Sequence, residues 1–256
     1  MDQLEGRNPV LECLQRRQRR VRRLFLDQGA KPDRKIRTIL RLAEEAEVPT
    51  ARVPRAHLDR MADGRVHNGV VAEVEALPQL TTRQLLDQVF DAGETPLLVL
   101  ADEVSYEHNL GAILRSALGF GVHGIVVPTR RGAEVGPVVQ RVSMGAVEVV
   151  PVVHESLSAA LKPISDAGVR VVGADMGGTS IYEADLRGPL ALVLGGEGKG
   201  LSPTLARKCD EIVSVPLAGG LESLNVSVAA AVILAEKRRQ DGWFGAGPDA
   251  PPRGPR

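Results

Sequence analysis

The sequence predicts an α/β protein, with a small N-terminal domain followed by a larger parallel-sheet domain. Three observations predict it. Short apolar runs alternate with helix-period segments from Val21 to Arg239. Two of those runs, Val169–Ala174 and Leu190–Leu194, are apolar at nearly every position, as strands covered on both faces are. A polar stretch with two prolines, Leu77–Pro96, divides the alternation into two series.

In the first series, Asn8–Pro9 reads as an N-cap followed by proline at the first helical position, with Val10, Leu11 and Leu14 turned inward. Val21–Asp27 is rich in strand formers. Asp33–Glu47 carries Ile36, Ile39, Leu40, Ala43 and Ala46 at helical spacing. Val48–Val53 reads as a strand, His57–Met61 as a helical turn and Gly69–Val74 as a buried strand, giving β-α-β-α-β within residues 1–76. Residues 77–95 read as a linker holding one short helical pattern, Leu85, Leu86 and Val89.

The second series, residues 96–243, predicts strands at Leu97–Ala101, Gly124–Val127, Val149–Val153, Val169–Ala174, Leu190–Leu194 and Ile212–Val215. Helices are expected at Asn109–Gly119, around Leu157–Ile164, and at Leu224–Arg239 with Leu224, Val228, Ala231, Val232 and Ala235 on its inner stripe. The tail, residues 244–256, is mostly Gly, Pro and charge and is expected to be disordered.

The 256 residues are 43% apolar and 25% charged, the composition of a globular protein with a sizeable core. No apolar run reaches the length of a membrane span, and the N-terminus lacks the apolar centre of a signal peptide. The two cysteines, Cys13 and Cys209, are far apart and have no metal-ligand spacing around them. A disulfide framework and a metal site are therefore not expected, and the cytoplasm is the expected compartment. The net charge is zero, yet residues 1–60 hold 15 Lys+Arg against 9 Asp+Glu. The densest run, Arg16, Arg17, Arg19, Arg20, Arg22 and Arg23, suits either an RNA-facing surface or a solvated face.

Three polar turns follow strands of the second domain, where an open parallel sheet binds its ligands. The first is Asp102–Gly111, leading into the helix that carries Arg115; the second is Gly195–Gly200; the third is Val215–Ser227. The second is no Walker A loop, because Gly200 rather than Ser or Thr follows Lys199. Nor does it fit a dinucleotide fingerprint, since Glu197 intrudes where a pyrophosphate would approach. Its glycines instead allow close backbone approach to a ligand without phosphate, such as an adenine. In the third turn Ser223, Asn225 and Ser227 stand at a helix entrance, a placement that also suits ordinary capping.

Asn109-x-Gly111-x-x-x-Arg115, Gly195-Gly196-Glu197-Gly198-Lys199-Gly200-Leu201 and Pro216 with Ser223-Leu224-Asn225-Val226-Ser227 resemble the three ordered motifs of the SpoU (TrmH-type, SPOUT superfamily) RNA 2′-O-ribose methyltransferases. The resemblance covers residues 96–240. Val66–Ala72 is similar to the last strand of the substrate-binding domain in the subgroup that methylates a guanosine of 23S ribosomal RNA. The resemblance implies a Rossmann-like domain closed by a trefoil knot, S-adenosylmethionine as cofactor, ribosomal RNA as partner and a homodimer. It also implies Asn109, Arg115, Glu197, Ser223 and Asn225 as catalytic residues, and Gly195, Gly196, Gly198, Val215, Leu217 and Leu224 as cofactor-binding positions. With the basic N-terminal module read as RNA-binding, Arg16, Arg19, Arg20, Arg22 and Arg23 become candidate phosphate contacts.

Methyl transfer from a sulfonium to a ribose hydroxyl is an in-line displacement that needs no metal, so positioning and charge neutralisation carry it. Arginine is too basic to act as a general base. Arg115 is therefore expected to grip a phosphate bidentately or to stabilise a developing alkoxide, and Glu197 can orient it through a salt bridge. His108, beside Asn109, reads as a loop residue. Methylation of transfer RNA and a non-catalytic RNA-binding or ribosome-assembly role remain as alternatives, the separate basic module favouring ribosomal RNA.

Overall fold

The structure, a computed structural model, describes residues 2–31, 33–130, 132–196, 200–221 and 223–243. Glu197, Gly198 and Lys199 of the second turn and the tail 244–256 lie outside the described residues.

The N-terminal domain runs β1 (Asp2–Glu5), α1 (Arg7–Arg16), β2 (Val21–Asp27), α2 (Arg34–Glu45), β3 (Thr50–Val53), α3 (Arg55–Met61) and β4 (Val70–Val74). Its sheet has the order β1-β4-β2-β3, with β2 and β3 parallel and the other pairs antiparallel. Helices α1 and α2 bury Val10, Leu14, Ile36 and Ile39 with Leu4 and Leu24 of the strands. Leu58 of α3 joins Phe25 and Val71 in a separate cluster, as the alternation of side chains along a strand requires. Asp33 caps α2 by accepting the Ile36 N–H at 2.9 Å, which holds its carboxyl below the ordinary range.

Two expectations are corrected in this domain. β1 is a strand that the sequence pattern missed, because four residues, DQLE, carry too little periodicity. α1 starts at Arg7 with Gly6 as its N-cap at φ 104°, a conformation suited to glycine. Asn8 is thus inside the helix and Pro9 is its third residue, where the missing N–H would have had no intrahelical partner.

The C-terminal part adds α4 (Thr82–Asp91), β5 (Leu97–Ala101), α5 (Glu107–Gly119), β6 (Gly124–Val127) and α6 (Pro137–Val142). After a 3-10 turn, Ala146–Glu148, come β7 (Val152–His154), α7 (Leu157–Asp166), β8 (Arg170–Ser180) and β9 (Leu190–Leu194). α8 (Pro203–Ala206), β10 (Glu211–Ser214) and α9 (Val226–Gln240) complete it. Among the described residues the strands form one parallel sheet, ordered β10-β8-β9-β5-β6-β7. One face packs against α5 and α9 through Leu110, Ile113, Ala230 and Ile233, the other against α4 and α7 through Leu85, Leu86, Leu157 and Leu161.

The stretch expected as a linker is therefore part of this second core. Thr81 and Gln84 form a capping box at the start of α4, and Thr82 donates its N–H and hydroxyl to Glu155 Oε2 at 3.1 and 2.5 Å. A Cβ on Gly124 would lie 2.4 Å from Leu85 Cδ2, so β6 and α4 touch as closely as glycine allows. The inner face of α9 also differs from expectation: it buries Val226, Ala230, Ile233, Leu234 and Lys237, while Val228 is 47% exposed. The first ten residues of α9 are apolar except for Ser227, which gives periodicity no single stripe to choose. The predicted strand Val149–Val153 forms only from Val152, its first residues following the 3-10 turn.

This topology fixes the edge where chemistry can occur. The chain leaves β5 towards β6 and β7 and returns on the other side of β5 through β8 and β9. Neighbouring β5 and β9 therefore form the switch point of the sheet, the place beyond the carboxyl ends of the strands where open parallel sheets bind their ligands. There the Asp102 N–H donates to the Leu194 carbonyl at 2.8 Å.

Candidate functional site

The first turn leaves β5 at Asp102 and enters α5. Asp102 is half-buried, and burial together with the charge of Glu103 raises its carboxyl above the ordinary range. Glu103 has φ 49°. The Tyr106 and His108 rings stack with centroids 5.1 Å apart. Asn109 is buried in the first turn of α5, and Arg115, further along, is exposed. Gly111 has a packing reason: a Cβ there would lie 2.7 Å from Val142 Cβ of α6.

The second turn is shaped by backbone contacts. A Cβ on Gly195 would fall 2.2 Å from the Gly200 carbonyl carbon and 2.6 Å from the Leu201 nitrogen. An isolated bridge pairs Gly196 with Gly200. A Cβ on Gly196 would stand 3.0 Å from Glu103 Cβ, so this turn leans on the first. Gly200 adopts φ 63°, and a side chain there would strike the Asp175 carboxylate at 2.6 Å. Asp175 in turn accepts the N–H of Leu201 at 2.9 Å and of Met176 at 2.7 Å.

The third turn leaves β10 and ends at Asn225, the N-cap of α9. Its Oδ1 accepts from the Ser227 N–H at 2.9 Å and the Ser227 hydroxyl at 2.6 Å. Its Nδ2 donates to Asn109 Oδ1 at 3.0 Å. The cap is thus also a bridge between the third and first turns. Val215 packs against the core, Leu224 is half-buried, and Ser223 and Leu217 are exposed. Among the described residues Arg115 makes no hydrogen bond or ion pair with the other site side chains, and its expected partner Glu197 lies outside them, as does Gly198.

Asp175 and Glu103 are the shaping residues that the motifs did not reveal. For Asp175 the available signal was a carboxylate directly after the apolar run Val169–Ala174, which the structure continues as β8 to Ser180.

The arginine run is divided by the structure. Arg16, Arg20, Arg22 and Arg23 are exposed. Arg16 lies 3.7 Å from Glu12, Arg22 pairs with Glu75, and the Arg23 guanidinium sits 5.8 Å from the centre of the Phe25 ring. Arg19 corrects the expectation of a phosphate contact: its side chain is 1% exposed and closes on Glu148 and Asp2. Instead, cationic groups gather in adjoining cavities that share Arg7 and Asn68, one reaching Arg55 and the other Lys35 and Arg141. Asp27 and Asp33 partly neutralise them, through Arg55 and Arg7.

Both cysteines are free thiols, and burial pushes Cys13 up to about 12 and Cys209 up to about 11, so neither is a ready thiolate nucleophile. Among the described residues no group of three or more His, Cys, Asp or Glu side chains is arranged to hold a metal, and no helix is long and apolar enough to cross a membrane.

Residues 96–235 match the SpoU rRNA Methylase family, and residues 3–80 match the RNA 2'-O ribose methyltransferase substrate binding domain. The chain is 44% identical over 237 residues to an "Uncharacterized tRNA/rRNA methyltransferase" of Mycobacterium ulcerans, covering 92% of this chain and 76% of the relative. Among solved structures it resembles the SpoU methyltransferase AviRb from Streptomyces viridochromogenes in complex with the cofactor AdoMet. That likeness has a TM-score of 0.77 at 29% identity, over 93% of this chain and 89% of the other. An RNA 2'-O ribose methyltransferase structure matches with a TM-score of 0.75 at 25% identity, over 93% and 88%. Fold and sequence agree, and the chain belongs to the SpoU rRNA methylase family of RNA methyltransferases.

Proposed function

We propose that this protein transfers a methyl group from S-adenosylmethionine to a ribose 2′-hydroxyl of ribosomal RNA, a guanosine of 23S rRNA, and works in the cytoplasm as a homodimer. The observation that carries this reading is the convergence of three turns on one edge of the sheet, with Asn225 bonded to Asn109 at 3.0 Å. The relatives' names, which include methylation of both tRNA and rRNA, support the RNA class. The separate N-terminal domain favours ribosomal RNA as the substrate.

The second and third turns suit S-adenosylmethionine. Gly195 and Gly196 let the second turn fold closely on Gly200–Leu201 and Glu103, and backbone N–H and C=O groups of this turn would meet an adenine, while Val215, Leu217 and Leu224 supply apolar contact. Gly198 belongs to the same proposed cradle. When bound, this cofactor supplies an electrophilic methyl on a sulfonium sulfur. Arg115, permanently charged and exposed beyond Asn109, binds an RNA phosphate or stabilises the alkoxide that develops as the 2′-hydroxyl loses its proton. Asn109 and Asn225 hold the first and third turns together, while Glu197 orients Arg115 and Ser223 supports the reacting hydroxyl. The exposed cations Arg16, Arg20, Arg22 and Arg23 and the cavities around Arg7, Lys35 and Arg141 supply phosphate contacts.

Two close approaches are compatible with a trefoil knot: Gly195 against Gly200–Leu201, and Gly178, whose Cβ would lie 2.5 Å from the Ile212 carbonyl oxygen. The outward apolar side of α9, with Val228 exposed, is the surface a second copy would cover.

The test is incubation of the purified protein with S-adenosylmethionine and separately with 23S rRNA, 16S rRNA and tRNA, followed by mass-spectrometric mapping of ribose methylation. A 2′-O-methylguanosine in 23S rRNA supports the full reading. Methylation confined to tRNA replaces the substrate, and RNA binding without methyl transfer would favour an assembly role.

A further inference from the structure

The Arg19 side chain joins the two domains. It leaves the turn between α1 and β2 and donates from Nε to Glu148 Oε2 at 3.1 Å and from Nη2 to Glu148 Oε1. From Nη1 it donates to Asp2 Oδ2 at 2.8 Å and to the Glu75 carbonyl at 3.1 Å. The side chains of Arg19 and Glu148 are each 1% exposed. Burial alone would disfavour the charge on Arg19, and Glu148 outweighs it, raising the guanidinium above its ordinary range. Asp2 opens β1 and Glu75 directly follows β4, whereas Glu148 closes the 3-10 turn that follows α6.

The surrounding contact is close-packed. A Cβ on Gly145, which has φ 91°, would lie 2.7 Å from Glu12 Cγ of α1 and 3.2 Å from the Asn8 carbonyl. Asn8 Nδ2 lies 3.0 Å from Met144 Sδ. From this junction the path to the site is short: α6 meets α5 where Val142 fills the space left by Gly111, and α5 carries Asn109 and Arg115.

A buried ion pair adds little net stability over an apolar contact of the same volume, because desolvation offsets the attraction. Its distinguishing property is direction. A planar guanidinium forked between two oxygens of one carboxylate, and held on its other side by a second domain, fixes a single orientation. An apolar patch in its place could slide.

We propose that Arg19 and Glu148 are a positioning pair that fixes the substrate-binding domain against the α5–α6 pair, presenting RNA held by that domain to Arg115 and the three turns. The catalytic part of this inference rests on the methyltransferase reading of the site; the fixing of one domain on the other does not.

The test compares the wild-type protein with the double variant Arg19→Met/Glu148→Leu, which keeps volume and removes both charges, and with Arg19→Lys, which keeps the charge and removes the fork. Each is examined by thermal melting, small-angle X-ray scattering, calorimetry with S-adenosylmethionine, RNA binding, and kcat on a 23S rRNA fragment. The double variant should fold, bind cofactor and RNA as the wild type does, scatter as a more extended particle, and lose on the order of tenfold or more in kcat. Arg19→Lys should move kcat in the same direction by a smaller factor. A folded double variant with an unchanged scattering profile or unchanged kcat overturns the proposal and leaves the pair as packing. If the double variant does not fold, wild-type kcat in Arg19→Lys overturns it. A wild-type protein that methylates no RNA refutes the methyltransferase reading instead, and an unchanged scattering profile in the variants still overturns the pair's role.

Discussion

Asn225 Nδ2 donates to Asn109 Oδ1 at 3.0 Å, joining positions 116 residues apart in the chain. One amide closes the third turn on the first while its oxygen caps α9. The two duties separate by substitution. Asn225→Asp keeps the capping oxygen, since Asp and Asn cap about equally well, but removes the donor. Asn225→Ala removes both, costing about 1 kcal/mol for the cap and about 1 kcal/mol for the bond. The Asp variant loses only the bond and should melt slightly below wild type while forfeiting most of its methylation, whereas the Ala variant, losing the cap as well, should melt lower still. Full activity in the Asp variant would show that the bridge plays no part in methyl transfer.

Arg115→Ala should reduce methylation by on the order of 10²-fold or more, as removing a charged partner of the transition state does. Cofactor affinity should stay within a few-fold, because Arg115 is exposed on α5 rather than held in the second turn. Arg115→Lys should not restore the rate if the guanidinium binds as a planar fork. Single-turnover kinetics beside calorimetry separates the two effects.

The second turn should tolerate no side chain at Gly195. A methyl group there meets the Gly200 backbone at 2.2 Å, so Gly195→Ala must displace the loop and weaken S-adenosylmethionine binding. Asp175→Ala removes the acceptor of the Leu201 N–H and should weaken it less, since the loop keeps its Gly196–Gly200 bridge. Calorimetry giving the opposite order would mean that the carboxylate rather than the backbone shapes the site.

Replacing Arg20, Arg22 and Arg23 by Ser should lower RNA affinity and reduce the salt slope by roughly one unit for each phosphate no longer neutralised. Stability should change little, because all three are exposed. Arg19→Ser differs in kind: it strands Glu148 in a dry interface and should cost about 3–5 kcal/mol of stability. Denaturant melts of the two variants distinguish an RNA-facing cation from a structural one.

Most of the second domain was legible in the sequence because its signals are local. Leu97–Ala101, Gly124–Val127 and Leu190–Leu194 form strands with the expected limits, and the three turns do emerge beyond β5, β9 and β10. What periodicity could not supply depends on residues far apart in the chain. Leu85 and Leu86 gave a helical pattern, but only the sheet beneath α4 makes it a core element rather than a linker. Arg19 looked like its neighbours in the basic run, and its burial depends on Glu148, 129 residues away. The Asn109–Asn225 bond and the position of Asp175 behind Gly200 likewise exist only once the strands are ordered.

The decisive measurement is transfer of the labelled methyl group of S-adenosylmethionine to 23S rRNA by the purified wild-type protein, with the product digested to nucleosides. Label is expected in 2′-O-methylguanosine at one position, and none with Arg115→Ala. Label on a base, or equal transfer by the Arg115 variant, would contradict the proposed reaction.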